Sequence, residues 1–583
     1  MKIRYLVVVI GMALTLTACN QARLPVTPEP GQADAQAPAP AQTQTGPHGP
    51  PKNSTPTKTL GREADQLAES AVRMKRAPQG MAGVTGQFGL HGIVAQAVDR
   101  ERYEEIDSHG IKLVASDPVS TFSIDVDTAS YANVRRMLQE GRLPVKDAVR
   151  VEELINYFSY NDPAPADRTV PFRVNAAMAP TPWNADTQLL RIGLKAWDLP
   201  DKDLPPSNLV FLVDVSGSMN SADKLPLLKR SIKLLTGRMD AEDQISIVVY
   251  AGAAGVVLEP TAGNRQATIE AALEKLSAGG STHGSAGIKL AYAKARESFI
   301  DGGINRVILA TDGDFNVGTV SQRALLDLIE REREHGIALT TLGFGRGNLN
   351  DQLMEQLADH GNGNYAYIDT LLEAQKVLVE QMGGTLMTVA KDVKIQVEFN
   401  PARISEYRLV GYENRALRRE DFNNDRIDAG ELGAGHSVVA LYEVTLAGSG
   451  SGLIDPLRYA PKDAKPAAQN NGELAFVKLR YKAPAGDTSQ LLTVPVTDNM
   501  RVARLADSDA DFRFSAAVAA FAQQLRGSEY LHDFGYQDIL ALARQSRGDD
   551  DQGYRSDFLR LVGLAESLDR RAPEVAAHDG GNG

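Results

Sequence analysis

The stretch Val210-Phe-Leu-Val-Asp214-Val-Ser216-Gly-Ser218-Met219 is the clearest indication of the fold. Its first four residues are all apolar, which is typical of a parallel strand that helices cover on both faces. The Asp-x-Ser-x-Ser segment lies where this strand ends, and open α/β sheets bind ligands at the carboxyl ends of their strands. Short oxygen side chains at alternating positions converge there and suit a hard cation such as Mg²⁺. The stretch therefore predicts a parallel α/β sheet with a cation site at its edge.

Two later loops carry similar side chains in the order that such a site needs. Gly279-Gly280-Ser281-Thr282 precedes a helical segment, and the apolar strand Val307–Ala310 leads into Thr311-Asp312-Gly313. With the first loop, they resemble the metal-ion-dependent adhesion site (MIDAS) of von Willebrand factor type A (VWA) domains. The resemblance covers all three loops of that motif.

The VWA resemblance implies a doubly wound, Rossmann-like parallel sheet over residues 206–385. It also implies a set of metal ligands, in which the two aspartates act partly through water: Asp214, Ser216, Ser218, Thr282 and Asp312. The ion would be Mg²⁺, or Mn²⁺ or Ca²⁺ in its place. Because hydroxyl ligands are neutral, the cation would stay under-neutralised and attract a carboxylate from a partner protein.

Strand and helix patterns alternate through residues 206–385, as a parallel sheet covered by helices requires. Gly255–Leu258 is predicted to pair antiparallel at the sheet edge. Leu371–Met382 is the predicted last helix, and the resemblance implies that this helix shifts when the metal takes a ligand. Gly343 and Gly345 form a lone Gly-x-Gly, which is too little for a dinucleotide-binding fingerprint.

The segments that flank this domain have other patterns. We predict an N-terminal α+β segment over 96–205, an antiparallel β-sandwich-like domain over 386–505, a helical segment over 506–572 and a disordered tail over 573–583. In the first of these, Phe122, Ile124 and Val126 alternate inward. The alternation places Asp125 and Asp127 on the solvent face, where Asp127 could cap the following helix. A second metal site, or a contact of this pair with the VWA domain, stays open.

An acidic loop lies within the predicted β-sandwich. Asp421, Asn423 and Asp425 stand at positions one, three and five, as in a calcium loop. Arg426 stands where an EF-hand requires Gly, and Leu432 stands where it requires Glu, which excludes an EF-hand. A solvated acidic turn and an irregular calcium loop remain as alternatives.

The amino terminus predicts the location of the protein. Lys2 and Arg4 precede the apolar run Leu6–Leu16, which is typical of a secretory signal over residues 1–18. Leu16-Thr-Ala-Cys19 resembles a bacterial lipobox. This resemblance implies that Cys19 is acylated by a fatty acid such as palmitate. By the same resemblance, Asn20 favours the outer membrane of a Gram-negative cell envelope. We predict that residues 19–95 comprise the lipidated Cys and a disordered tether, because this segment is rich in Pro, Ala and Gln.

The composition and the motifs of the sequence argue against several classes of function. The 74 acidic residues exceed the 62 basic ones, which argues against binding of nucleic acid. The sequence has neither His-Glu-x-x-His nor Gly-x-Ser-x-Gly, so we predict no catalytic residues and no enzyme. Over about residues 95–570 it resembles bacterial VWA lipoproteins described as similar to calcium-activated chloride channel proteins. No second long apolar run exists, so a channel is not expected and the lipid would be the membrane anchor.

These predictions converge on a lipid-anchored docking protein. Its partner would be an envelope or extracellular protein that carries an exposed Asp or Glu. One alternative is a structural subunit of an envelope assembly in which the metal only stabilises the domain, and another is a hydrolase.

Overall fold

The structure is a computed structural model that describes residues 100–200, 203–280, 284–313, 315, 321–455 and 472–579, with side chains as far as residue 570. The predicted signal, Cys19 and the tether lie outside these residues. The first elements are β1 (Lys112–Leu113), β2 (Val119–Ser123), α1 (Ala129–Gln139), α2 (Val151–Asn156), β3 (Phe172–Thr181) and β4 (Asn184–Ala196).

Six strands then form a mixed sheet: β5 (Ser207–Asp214), β6 (Gln244–Tyr250), β7 (Ala254–Ala262), β8 (Ile304–Thr311), β9 (Ala338–Phe344) and β10 (Tyr365–Ile368). Their order is β10-β9-β8-β5-β6-β7, and every pair is parallel except β6 with β7. The helices of this region are α3 (Leu225–Thr236), α4 (Gln266–Glu274), α5 (Gly284–Glu297), α6 (Gln322–Glu334), α7 (Asp351–His360), α8 (Leu371–Gln375) and α9 (Met382–Leu386). The predicted doubly wound α/β sheet and its antiparallel edge are confirmed.

The central strand β5 is apolar over residues 209–213 because it is buried on both faces. Leu209, Phe211 and Val213 pack into one apolar cluster, whereas Val210 and Leu212 pack into the cluster on the opposite face. Alternate side chains of a strand point to opposite faces, so only an unbroken apolar run can fill both clusters.

The last helix of the sheet domain differs from the prediction of one helix over Leu371–Met382. Instead, α8 passes into a π-helical turn, Lys376–Glu380, and α9 follows. The wider turn buries four consecutive side chains, Lys376–Val379, which a regular α-helix with one apolar face does not do.

Six further strands follow: β11 (Thr388–Phe399), β12 (Ile404–Val410), β13 (Leu432–Gly433), β14 (Ser437–Leu446), β15 (Glu473–Lys482) and β16 (Ser489–Thr497). They join the early strands in two antiparallel sheets. One has the order β1-β12-β14-β4-β3; the other has the order β13-β11-β15-β16, with β2 also paired to β11. The segments on either side of the VWA domain therefore share both sheets, and the domain is inserted between β4 and β11.

The two sheets face each other across one core. Phe122, Ile395 and Val397 from one sheet pack in the same cluster as Leu190 and Tyr442 from the other. The opposite face of the sheet β1-β12-β14-β4-β3 is covered by α1, α2 and the carboxyl-terminal helices α10 (Ala510–Arg526), α11 (Tyr536–Gln545) and α12 (Tyr554–Asp579). None of the helices in the described residues combines the length and the apolar character needed to cross a membrane.

Candidate metal-binding site

Asp214 ends β5 and lies at the centre of the candidate site. Its side chain is fully buried and accepts hydrogen bonds from Ser216, Tyr250 and Thr311. The Ser216 N–H donates to Oδ1 at 2.8 Å, while the Tyr250 hydroxyl at 3.2 Å and the Thr311 hydroxyl at 3.1 Å donate to Oδ2. Burial raises the pKa of Asp214, and the hydrogen bonds from Ser216 act in the opposite direction. Because Tyr250 and Thr311 end β6 and β8, the ends of three adjacent strands fix this carboxylate.

The two serine hydroxyls of the first loop lie side by side. The Oγ atoms of Ser216 and Ser218 are 3.0 Å apart, and Ser216 is buried whereas Ser218 is exposed. An octahedral Mg²⁺ holds its oxygen ligands at about 2.0–2.1 Å, which places adjacent ligands about 3 Å apart. The spacing and the hard oxygen donors therefore fit a small divalent cation that stays accessible to solvent.

The second loop is joined to the first by backbone hydrogen bonds. The Gly279 N–H donates to the Val215 carbonyl at 2.7 Å, and the Gly217 N–H donates to the Gly280 carbonyl at 3.2 Å. Gly280 has a φ of +92°, a conformation that favours glycine. This pairing brings the predicted second loop to the site. Thr282 itself lies outside the described residues, so its ligand role stays a prediction.

Asp312 follows β8 and is also fully buried. The Lys224 ammonium donates to its Oδ2 at 2.8 Å. The next residue, Gly313, has a φ of +97°, and a Cβ there would lie 2.5 Å from the Cα of Leu349. A glycine is therefore required for the chain to leave Asp312 and pass the loop before α7.

Three residues of this site were not predicted from the sequence: Lys224, Tyr250 and Thr311. Tyr250 and Thr311 are the last residues of parallel strands next to β5, so the strand-end rule that selected Asp214 applies to them too. Lys224 lies in the loop before α3 and has no comparable signal, because its ion pair joins positions 88 residues apart.

The acidic loop of the β-sandwich is surrounded by cations. Arg480 donates to the Asn423 Oδ1 at 3.1 Å and to the Asp425 Oδ1 at 2.8 Å. The Lys482 ammonium donates to the Asp425 carbonyl, and Asp421 Oδ2 accepts from the Arg418 N–H. These partners occupy oxygen atoms that a calcium ion would need. A hydrogen bond from the Ser489 hydroxyl and the nearby charge of Arg480 lower the pKa of Asp425.

Asp125 and Asp127 are buried, contrary to the expectation that they lie on a solvent face. Asp127 Oδ1 accepts from the backbone N–H of Tyr365 in β10 at 2.8 Å, and α1 has no side-chain cap. Asp127 therefore contacts the VWA domain, which is the second of the arrangements left open. Burial raises the pKa of both carboxyl groups.

Throughout the described ranges, no three His, Cys, Asp or Glu side chains are grouped so as to hold a metal ion.

The sheet and its three loops define the class of the protein. The VWA domain profile, described as von Willebrand factor type A domain, matches residues 208–381. A profile described as von Willebrand factor matches residues 97–191, and one described as the C-terminal part of the uncharacterized protein YfbK matches residues 384–568. The central part of the chain is therefore a VWA domain.

Most of the chain is similar to one bacterial protein. Over 473 residues it is 48% identical to the uncharacterized protein YfbK of Escherichia coli (strain K12), which covers 80% of this chain and 81% of YfbK. The chain therefore belongs to the YfbK family of VWA-domain proteins.

Weaker similarity extends to other proteins. The uncharacterized protein sll0103 of Synechocystis sp. is 30% identical over 169 residues, which are 29% of this chain and 39% of that protein. A solved structure, the von Willebrand factor type A protein from Catenulispora acidiphila, is 15% identical and covers 67% of this chain and 89% of that chain, with a TM-score of 0.37.

Proposed function

We propose that this protein is a lipid-anchored docking protein of the bacterial cell envelope. Its VWA domain would hold Mg²⁺, or Mn²⁺ or Ca²⁺, and bind a carboxylate of a partner protein there. The observation that carries the proposal is the pair of serine hydroxyls, 3.0 Å apart, beside the buried Asp214. VWA domains commonly mediate metal-dependent protein interactions, which supports the same function.

The residues of the candidate metal site would have different roles. Ser216, Ser218 and Thr282 would contact the ion, and Asp214 and Asp312 would hold it partly through water. A bound cation supplies positive charge and a coordination position that a partner's Asp or Glu can take. The hydrogen bonds from Tyr250 and Thr311 keep Asp214 in place, and the exposed Ser218 leaves the site open to a partner.

The location rests on the amino-terminal sequence alone. The lipobox-like Leu16-Thr-Ala-Cys19 supports acylation of Cys19 and attachment to the outer membrane. The sequence lacks the zinc-protease and serine-hydrolase motifs, which supports a binding role rather than an enzymatic one.

The test is calorimetric titration of Mg²⁺ into the full chain in detergent micelles, beside Ser218→Ala. Ser218 is exposed, so the variant keeps the fold and removes one oxygen ligand. A contact with a charged group contributes about 1.5–3 kcal/mol, so we expect binding weaker by roughly tenfold or more. Asp327→Ala, an exposed position on α6, should bind like the parent.

Absence of Mg²⁺ binding by the parent would overturn the proposal. If Mg²⁺ binds and raises the melting temperature, but no envelope protein is retained in a magnesium-dependent and Ser218-dependent manner, the structural alternative is favoured.

A further inference from the structure

Lys224 is a buried cation inside the MIDAS loops. It immediately precedes α3, its exposed fraction is 6%, and its Nζ donates to Asp312 Oδ2 at 2.8 Å. Lysine is almost never buried to this extent without a partner, so the pairing with Asp312 accounts for its position. The ammonium therefore competes for a carboxylate that the proposed function gives to the metal.

The fold makes room for this lysine. Gly345 follows β9 with a φ of +65°, and a Cβ there would lie 2.3 Å from both Cγ and Cε of Lys224. The Tyr367 hydroxyl donates to the Gly345 carbonyl at 2.6 Å and fixes the backbone at this point. The second glycine of the Gly-x-Gly segment thus opens the path along which the lysine reaches Asp312.

The charge of the site depends on this residue. Two carboxylates, Asp214 and Asp312, would neutralise a divalent cation completely if they were the only charged groups present. With the ammonium added, one positive charge remains, and the electrostatic attraction between the cation and Asp312 is weaker. A loaded site that keeps positive charge has the right sign to attract a carboxylate from a partner.

We propose that Lys224 is a built-in counter-cation that weakens the affinity of the MIDAS loops for divalent metal and leaves the loaded site positive. This inference rests on the proposed metal-binding function. It makes Lys224 a positioning residue that acts through Asp312, rather than a ligand. A purely structural role would predict lower stability on its removal, with no gain in metal affinity.

The test measures Mg²⁺ affinity and melting temperature for the full chain in detergent micelles. Lys224→Gln removes the charge but keeps a donor for Asp312, and Lys224→Met is a second charge-free variant of similar length. Both should bind Mg²⁺ about tenfold more tightly than the parent, and saturating Mg²⁺ should raise their melting temperatures more. Lys224→Arg keeps the charge and should retain weak binding.

A matched control separates this effect from a general change in charge. Lys233→Gln removes a half-buried lysine of α3, whose partner is the surface residue Glu274, and should leave Mg²⁺ affinity unchanged. Equal or weaker binding by both charge-free variants, beside clear binding by the parent, overturns the inference and leaves the proposed function standing. Binding only by the charge-free variants supports the inference and contradicts metal docking by the native chain. Failure of every variant to bind overturns both.

Discussion

Glu152 shows, at the scale of one residue, how burial controls ionisation in this protein. The residue lies in α2 and is 1% exposed, and its Oε2 accepts a hydrogen bond from the Tyr412 N–H at 2.8 Å. Burial, with the nearby negative charges of Glu413 and Asp125, raises the pKa of its carboxyl group to about 8. The folded protein therefore holds a proton on Glu152 at neutral pH, whereas the unfolded chain releases it near its ordinary pKa of 4.5.

The raised pKa predicts how stability depends on pH. Glu152 contributes to the free energy of unfolding, and this contribution is fully present below pH 4.5. It is lost as the pH rises towards 8, by at most about 1.4 kcal/mol per pH unit. Glu152→Gln keeps an acceptor for Tyr412 and removes the titration. We expect its free energy of unfolding to fall less steeply than that of the parent between these limits.

Urea unfolding at pH 5, 6.5 and 8 measures this slope. Glu420→Gln changes an exposed glutamate and serves as the control, which should keep the slope of the parent. A parent-like slope for Glu152→Gln would contradict the prediction.

At the scale of elements, the end of the VWA domain is held by the flanking helices. Arg135 of α1 donates to Asp369 and, at 2.6 Å, to Glu373 of α8, and the Tyr157 hydroxyl donates to the same Glu373 at 2.8 Å. At the end of the π-helical turn, Glu380 accepts a hydrogen bond from the Tyr554 hydroxyl of α12 at 2.8 Å. Any displacement of this segment would therefore have to break contacts with both flanking regions.

The side chain of Lys376, in this segment, is buried without a hydrogen-bond acceptor among the described residues. It is 3% exposed, and its Nζ lies 3.6 Å from the centroid of the Tyr157 ring. Burial lowers its pKa to about 8. Below pH 8 the folded state holds a charge that it disfavours, and this penalty disappears as the pH rises from 8 towards the ordinary pKa of 10.5.

Lys376→Met should therefore stabilise the fold at pH 7, by about 1–2 kcal/mol once the lost attraction to the Tyr157 ring is subtracted. The gain should shrink as the pH is raised to 10.5, and the free energy of urea unfolding at both pH values measures it. Lys289→Met replaces an exposed lysine of α5 and should change stability little at either pH. A loss of stability at pH 7 would show that the contact with Tyr157 outweighs burial.

At the scale of the whole molecule, the sequence predicts local features and misses the long-range partners. Asp214 and Asp312 each follow an apolar strand, so the strand pattern locates both carboxylates. Alternation indicates that β2 and β11 are strands, but it does not say that they pair with each other across the inserted domain. The contact between Lys224 and Asp312 is missed for the same reason, because the sequence around Lys224 does not indicate which distant residue it contacts.

The same long-range assembly gives the carboxyl-terminal helices a structural role. Phe514, Phe521 and Phe558 pack in one cluster with Val439 and Leu441, which lie on the outer face of a sheet. Full burial of each phenylalanine contributes about 1.5–3 kcal/mol. Arg526 adds hydrogen bonds to the carbonyls of Val149 at 3.4 Å and Ile106 at 3.1 Å. Removal of all three helices would therefore remove stabilising free energy comparable to the total free energy of unfolding of a domain, about 5–15 kcal/mol.

A chain that ends at residue 509 should consequently expose this sheet face together with α1 and α2. We expect it to lose its cooperative thermal transition, to bind a hydrophobic dye and to aggregate during size-exclusion chromatography. A chain that ends at residue 572 keeps the helical residues of the buried cluster and should melt at the temperature of the parent. Retention of the parent's melting temperature by the shorter chain would mean that the paired sheets are stable without their helical layer, and that α10, α11 and α12 are an accessory to the fold.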